Sequence, residues 1–179
     1  MTGLAEDWEV EETGETLEEN ASLKARAAVR ATGMAAIADD TGLFVDALGG
    51  LPGVKSSRYA GPGCTYEDNV RKLLDATAGV EPGSRGARFR SAVVVACPDG
   101  SRRSFEGTLE GSIGERPRGT GGFGYDPVFV LPGGSTLAEL SLGEKNRISH
   151  RGAAFRSFAE WVKTRGARGI CPCGPVVRY

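Results

Sequence analysis

The chain has 179 residues, a length typical of one domain, and its composition of 40% hydrophobic and 25% charged residues excludes a collagen, a coiled coil or a wholly disordered chain. Its 22 Lys and Arg against 23 Asp and Glu give a net charge of -1, so we expect neither nucleic acid nor a membrane surface as a partner. No apolar stretch approaches the ~18 residues of a membrane span, and the acidic N-terminus lacks the apolar core of a signal peptide. The cytoplasm is therefore the expected location.

A first helix is predicted after Thr16, because Thr16-Leu-Glu-Glu19 has the pattern of a capping box. Gly33 fits the position just beyond the end of this helix, where a left-handed backbone is common. Such a helix would place mostly small residues on one side, which predicts close packing onto a sheet. The residues that carry this pattern are Leu17, Ala21, Ala25, Ala28 and Ala31.

The remaining elements alternate between helices and strands, which favours an α/β or α+β fold. An apolar strand at 34–38 is expected to end at Asp39-Asp40. We treat residues 1–163 as a single domain and residues 164–179 as a poorly ordered tail. The other predicted elements are turns at 49–63, a helix capped by Thr65, a hairpin of strands 88–97 and 101–111, a glycine-rich loop at 119–127, a strand at 128–131, a helical turn at 136–140 and a last helix from Ser149.

Two acidic pairs are candidates for chemistry. Asp39 and Asp40 are adjacent at the end of a strand and should point to opposite sides, so that one can face a cleft while the other braces a loop. A carboxylate there suits Mg²⁺, which usually takes one or two carboxylates plus substrate phosphates; the alternative is a solvated turn. Glu11 and Glu12 either form an ordinary charged surface or supply a second metal ligand.

Cations near the last helix form a second candidate site. Lys145 and Arg151 flank the start of that helix, where free backbone N–H groups favour an anion; the alternative is a capped surface helix with ordinary charges. His150, the one histidine, is either structural or a neutral hydrogen-bond donor suited to a carbonyl oxygen. Lys24 lies on the first helix, where an isolated lysine is usually exposed.

The loop at 119–127 is rich in glycine yet matches neither the P-loop nor the dinucleotide-binding fingerprint. Its glycines would let the backbone approach a flat ligand closely. Phe123 and Tyr125 either stack on a base or pack in the core.

Four segments together resemble one family. ETGETLEENASLKARAA, ADDTGLFVDALGGLPGVKSSRYAG, GTGGFGYDPVFV and ELSLGEKNRISHRG are similar to the inosine/xanthosine triphosphate pyrophosphatases, over a stretch from about Glu11 to Val162. The resemblance implies an elongated, two-lobed α/β fold with a central mixed sheet, flanking helices and a cleft between the lobes, usually as a homodimer. It also implies Mg²⁺-dependent hydrolysis of ITP, dITP or XTP to the monophosphate and pyrophosphate.

The same resemblance implies roles for individual residues. Asp40 matches the catalytic proton acceptor and a metal ligand, and Glu11 or Glu12 matches the second metal position. Thr41 stands where the family usually has serine. The positions that match substrate-binding residues are Lys24, Thr41, Phe123, Gly124, Tyr125, Asp126, Lys145, His150 and Arg151.

The start of the chain departs from the family pattern. The family opens with a buried strand and a T-x-N-x-x-K loop that holds the triphosphate, and residues 1–10 match neither. We expect either a start codon upstream of the one used or a damaged copy. The alternative function is accordingly an inactive remnant that binds nucleotide weakly or only dimerises.

Overall fold

One mixed sheet runs through the described part of the chain, residues 10–165 and 176–178 of this computed structural model. Its strand order is β2-β1-β3-β4-β5, and β6 pairs with β1. β1 is antiparallel to β2 and parallel to β6, which confirms the expected mixed sheet. The strands are β1 (Ala35–Val45), β2 (Pro52–Gly53), β3 (Gly86–Ala96), β4 (Arg102–Ile113), β5 (Phe129–Val130) and β6 (Val176–Arg178), and the helices are α1 (Leu17–Thr32), α2 (Tyr66–Thr77), α3 (Leu142–Ile148) and α4 (His150–Arg165).

The chain divides into two compact units. The first unit comprises residues 1–40, 91–107 and 151–179, and the second comprises residues 41–90 and 108–150. Each has its own buried apolar clusters.

The first unit packs a helix on each face of its strands. Ala21 and Ala25 of α1 pack against Ala38 on one face, as the small-residue pattern predicted. On the other face, Ala154 of α4 packs against Ile37. Because side chains alternate along a strand, the even-numbered residues from Ala36 to Asp40 of β1 face α1, whereas Ile37 and Asp39 face α4.

The second unit has a core of larger side chains. Leu43 of β1 and Leu73 of α2 are fully buried there, and the rings of Phe89 and Phe129 lie 4.7 Å apart. This core also includes Tyr125, which fixes one end of the glycine-rich loop.

Several helix ends match the sequence prediction. Thr16 and Glu19 form the expected capping box, and Gly33 ends α1 with a φ of 66°. Thr65 and Asp68 form a capping box at the start of α2, and this helix ends at Thr77. The last helix begins at His150, one residue after the predicted start.

Three differences from the prediction have local explanations. β1 continues through Asp39 and Asp40 to Val45, because Leu43 and Phe44 pair with β2, the next strand along the chain. The helix α3 was not predicted, although Ser141 and Glu144 form a capping box that the sequence displays. Of the predicted tail, 166–175 and Tyr179 lie outside the described residues, whereas α4 reaches Arg165 and Val176–Arg178 form β6.

Among the described residues, 10–165 and 176–178, no helix is long and apolar enough to cross a membrane.

The alanine face of α1 should be sensitive to volume. Ala25 is completely buried, so Ala25→Leu should lower the free energy of unfolding by about 1–3 kcal/mol, because no space is left for three more carbons. Ala31 lies on the same helix but is exposed, so Ala31→Leu should change the free energy of unfolding by less than about 0.5 kcal/mol. Urea denaturation of both variants measures the difference, and equal values would contradict the packing described.

Candidate functional site

Three charged side chains of the first unit meet on the α1 face of β1. Lys24 Nζ lies 2.7 Å from Asp40 Oδ1 and 3.1 Å from Glu12 Oε1. Asp40 is 8% exposed. Asn20, one helical turn before Lys24, is also completely buried. We call Glu12, Asn20, Lys24 and Asp40 the Asp40 cluster.

Strand alternation explains why this cluster forms. Asp40 is an even-numbered residue of β1 and therefore faces α1, where Lys24 projects from the helix. Asp39 faces the other way, and its Oδ2 accepts a hydrogen bond from Arg151 Nε of α4 at 2.8 Å. The prediction that the two aspartates point to opposite sides is confirmed.

Burial and charge shape the proton affinity of this cluster. Burial raises the pKa of Asp40 above its ordinary value, although the neighbouring Lys24 ammonium pulls in the opposite direction. For Lys24, burial favours the neutral form, but the carboxylates of Asp40 and Glu12 outweigh burial and raise the pKa of the amine. Lys24 is therefore held charged, and Asp40 has more affinity for a proton than an exposed aspartate. A carboxylate of that kind suits a proton acceptor.

The cluster fits a divalent cation that also takes ligands from a bound molecule. Glu12 and Asp40 both contact Lys24 Nζ and so lie near each other, whereas Glu11 is exposed. Within residues 10–165 and 176–178, no group of three or more His, Cys, Asp or Glu side chains is placed to hold a metal alone. Mg²⁺ commonly uses only one or two carboxylates, with phosphate and water completing its shell. The geometry thus favours Glu12 over Glu11 as the second ligand.

The glycine-rich loop of the second unit is built around a buried carboxylate. Asp126 is 4% exposed, forms an ion pair with Lys145 and accepts the backbone N–H of Phe123 at 2.8 Å. Lys145 Nζ also lies 4.8 Å from the centre of the Phe123 ring. That ring is 57% exposed, with Tyr66 at 6.2 Å. The loop therefore presents a fixed aromatic face that a planar ligand can stack on.

The other predicted loop residues have different surroundings. Tyr125 is buried and donates a hydrogen bond from its hydroxyl to the Ser56 carbonyl at 2.9 Å, which favours the core interpretation of this residue. Burial raises the pKa of its phenol. Gly124 has a φ of 61° and open space where a side chain would begin. Thr41, the first residue of the second unit, is half-buried.

The cations near the last helix each have a partner of their own. Lys145 lies in α3 and pairs with Asp126, while Arg151 pairs with Asp39 in the first unit. His150 is buried and stacks on Phe89, with ring centres 4.8 Å apart and planes inclined by 14°. Each of these three side chains is therefore held in place by a carboxylate or by an aromatic ring.

Asn20 is the residue of the cluster that the sequence analysis missed. A signal was present, since an asparagine stands on the alanine-rich face of a helix, four residues before Lys24. A polar residue at such a position is buried and needs hydrogen-bond partners.

Comparison with known proteins identifies the family of this chain. Residues 1–161 match the model of the Ham1 family, so the chain belongs to that family. It is 56% identical to a dITP/XTP pyrophosphatase of Elusimicrobium minutum, over 86% of this chain and 78% of the relative, and 48% identical to one of Bacillus subtilis, over 87% and 79%. The solved structure of the Staphylococcus aureus Ham1 protein matches with a TM-score of 0.83 and 42% identity, over 88% of this chain and 82% of that one. The expected α/β fold of this family is confirmed.

The glycine-rich loop provides a matched pair of substitutions. Gly122 and Gly124 both have positive φ, so alanine at either position costs roughly 1–2 kcal/mol of backbone strain. At Gly122 the new Cβ would also lie 2.0 Å from Asp126 Oδ2, while at Gly124 it would meet nothing within 4 Å. Gly122→Ala should therefore reduce the free energy of unfolding by about 1–3 kcal/mol more than Gly124→Ala. Urea denaturation tests this, and a Gly124→Ala variant that is as unstable as Gly122→Ala would refute it.

Proposed function

We propose that this protein is a Mg²⁺-dependent pyrophosphatase that hydrolyses ITP, dITP and XTP to the monophosphate and pyrophosphate, and so removes non-canonical purine nucleotides. The observation that carries the proposal is the buried Asp40 carboxylate, whose pKa is raised by burial and which is paired with Lys24 and close to Glu12. The names of the relatives support the same substrate class.

The Asp40 cluster supplies what phosphoanhydride hydrolysis needs. A water oxygen forms a bond to the α-phosphorus while the bond to the bridging oxygen of pyrophosphate breaks. Asp40 accepts the proton of that water, and the positive charge of Lys24 stabilises negative charge on the phosphate oxygens. Glu12 and Asp40 would hold Mg²⁺, which polarises phosphate oxygens and neutralises their charge when it is bound.

The Phe123 loop supplies the features needed for a purine base. We propose that the exposed Phe123 ring stacks on the base and that Lys145 and His150 contribute to binding. Hypoxanthine and xanthine carry an oxygen acceptor at position 6, where adenine has an amino donor. Donors that meet this oxygen would be left unpaired against adenine, and such a mismatch can reduce catalysis by orders of magnitude.

The assembly and location follow from the same resemblance. We propose a homodimer in the cytoplasm, in keeping with the family pattern.

Substrate preference is the first test. The purified full chain with Mg²⁺ should release pyrophosphate from dITP and ITP at a much higher kcat/KM than from ATP, because only the former present the oxygen at position 6. A coupled pyrophosphate assay with each nucleotide measures this. Equal kcat/KM values would contradict the specificity, and the absence of turnover with every nucleotide would contradict the activity.

Removing the proposed proton acceptor is the second test. Asp40→Asn keeps the size of the side chain but cannot accept the proton, so kcat for dITP should fall by at least about 10²-fold. Circular dichroism and urea denaturation check that the variant is folded. A folded Asp40→Asn protein with the original kcat would remove Asp40 from the mechanism.

The two glutamates provide a matched comparison for the metal. Glu12→Gln should raise the Mg²⁺ concentration needed for half-maximal activity by roughly 10-fold, because a carboxylate next to Asp40 is lost. Glu11→Gln, the same change at the exposed neighbour, should leave this Mg²⁺ concentration unchanged. A Mg²⁺ titration of activity distinguishes them, and the reverse order would assign the metal to Glu11.

A further inference from the structure

Asn20 carries a buried hydrogen-bond donor that the described part of the protein does not use. Its side chain is completely buried on α1. Nδ2 has no hydrogen-bond partner within residues 10–165 and 176–178. An unmet buried amide costs free energy, so native proteins seldom retain one unless water or a ligand completes it.

The orientation of the Asn20 amide is fixed by its oxygen. Oδ1 accepts the backbone N–H of Gly14 at 2.8 Å, and since an N–H must meet an acceptor, the oxygen has to face Gly14. The Gly14 backbone lies close to the Asn20 side chain, and a Cβ added at Gly14 would be only 2.7 Å from that oxygen. This contact also anchors the segment that carries Glu12, two residues earlier in the chain.

The free end of the amide lies near the catalytic carboxylate. A side-chain hydrogen-bonding interaction with Asn20 is the smallest of the influences on the pKa of Asp40 and lowers it, whereas Nδ2 reaches no partner in full hydrogen-bond geometry. Oδ1 of Asp40 is already bound to Lys24. Asn20 and Lys24 are one helical turn apart, so two donors of one helix face the same place. Two donors beside each other suit an oxygen acceptor of a bound molecule and disfavour a cation at the amide.

We propose that Asn20 is a substrate-contacting residue whose Nδ2 donates a hydrogen bond, beside Asp40, to an oxygen of the bound phosphate chain or of water on its metal. The proposal rests on the proposed function, since it names a further residue of the same site. It gives the unmet donor a partner that is present only when the site is filled.

Side-chain amide NMR tests this in the unaltered full chain. The probe is inorganic pyrophosphate, added to ¹⁵N-labelled protein with and without Mg²⁺. We expect the Asn20 amide signal, identified by its loss in Asn20→Ala, to move downfield and to exchange more slowly with water. Asn69 is the internal control, because its buried amide already accepts from Ala60 N–H at 2.7 Å and donates to the Ser57 carbonyl at 3.0 Å.

The outcomes separate the proposed role of Asn20 from the proposed function of the protein. A shift without Mg²⁺ assigns the acceptor to phosphate, and a shift only with Mg²⁺ assigns it to the metal-bound form. If backbone signals around Lys24 move but the Asn20 amide does not, the proposal is overturned while the proposed function stands. If no signal moves at saturating pyrophosphate, the proposal is overturned, and turnover of dITP by the same sample decides the proposed function independently.

Kinetics provide a second measurement. Asn20→Ala should lower kcat/KM for dITP about 10²-fold, the size of effect seen when one preorganised donor is removed. Asn69→Ala should lower stability more, because Asn69 loses two hydrogen bonds to the protein, but should leave kcat/KM of the folded fraction within about twofold of the original. An Asn20→Ala protein that keeps its original kcat/KM would overturn the proposal.

Discussion

The buried ion pair between Lys24 and Asp40 is the constraint on which the rest of the first unit depends. Both charges are largely removed from water, and such a pair gains little net stability because desolvation offsets the attraction. Its position nevertheless follows strictly from the fold, since α1 packs on the face of β1 that carries Asp40. An arrangement that contributes little stability but holds a carboxylate next to a fixed positive charge is better explained by chemistry than by folding.

The same pairing of a carboxylate with a cation occurs elsewhere in each unit. Asp39 is held by Arg151 in the first unit, and Asp126 by Lys145 in the second. In each case a buried or half-buried carboxylate fixes a cation that is otherwise long and flexible. The cations therefore have defined positions, and preorganised charges of this kind lose less entropy when a ligand binds and are what electrostatic catalysis uses.

Small residues allow these charges to come close to the backbone and to one another. The alanines of α1 let the helix approach the sheet so that Lys24 can reach Asp40. Gly14 lets its own N–H reach Asn20, and Gly122 leaves the space in which Asp126 meets Lys145. The chain has 27 glycines, and close contacts of this kind are one reason for so high a number.

Much of the fold was determined by local sequence. The capping boxes at Thr16 and Thr65, the glycine that ends α1 and the hairpin were predictable because their hydrogen bonds join residues only a few positions apart. The opposite directions of Asp39 and Asp40 were predictable for the same reason, since alternation is a property of a single strand. Family resemblance supplied the roles of the individual residues, which local patterns left open.

Only the tertiary structure decided which side chains meet. The extension of β1 beyond Asp40 depends on pairing with β2, and the contact of Lys24 with Glu12 rather than Glu11 depends on where the segment before α1 lies. The burial of Asn20 with an unmet amide likewise depends on Gly14 and on the neighbouring sheet. These outcomes could not be obtained from the sequence, because each is set by contacts between segments whose separation along the chain fixes neither their distance nor their orientation.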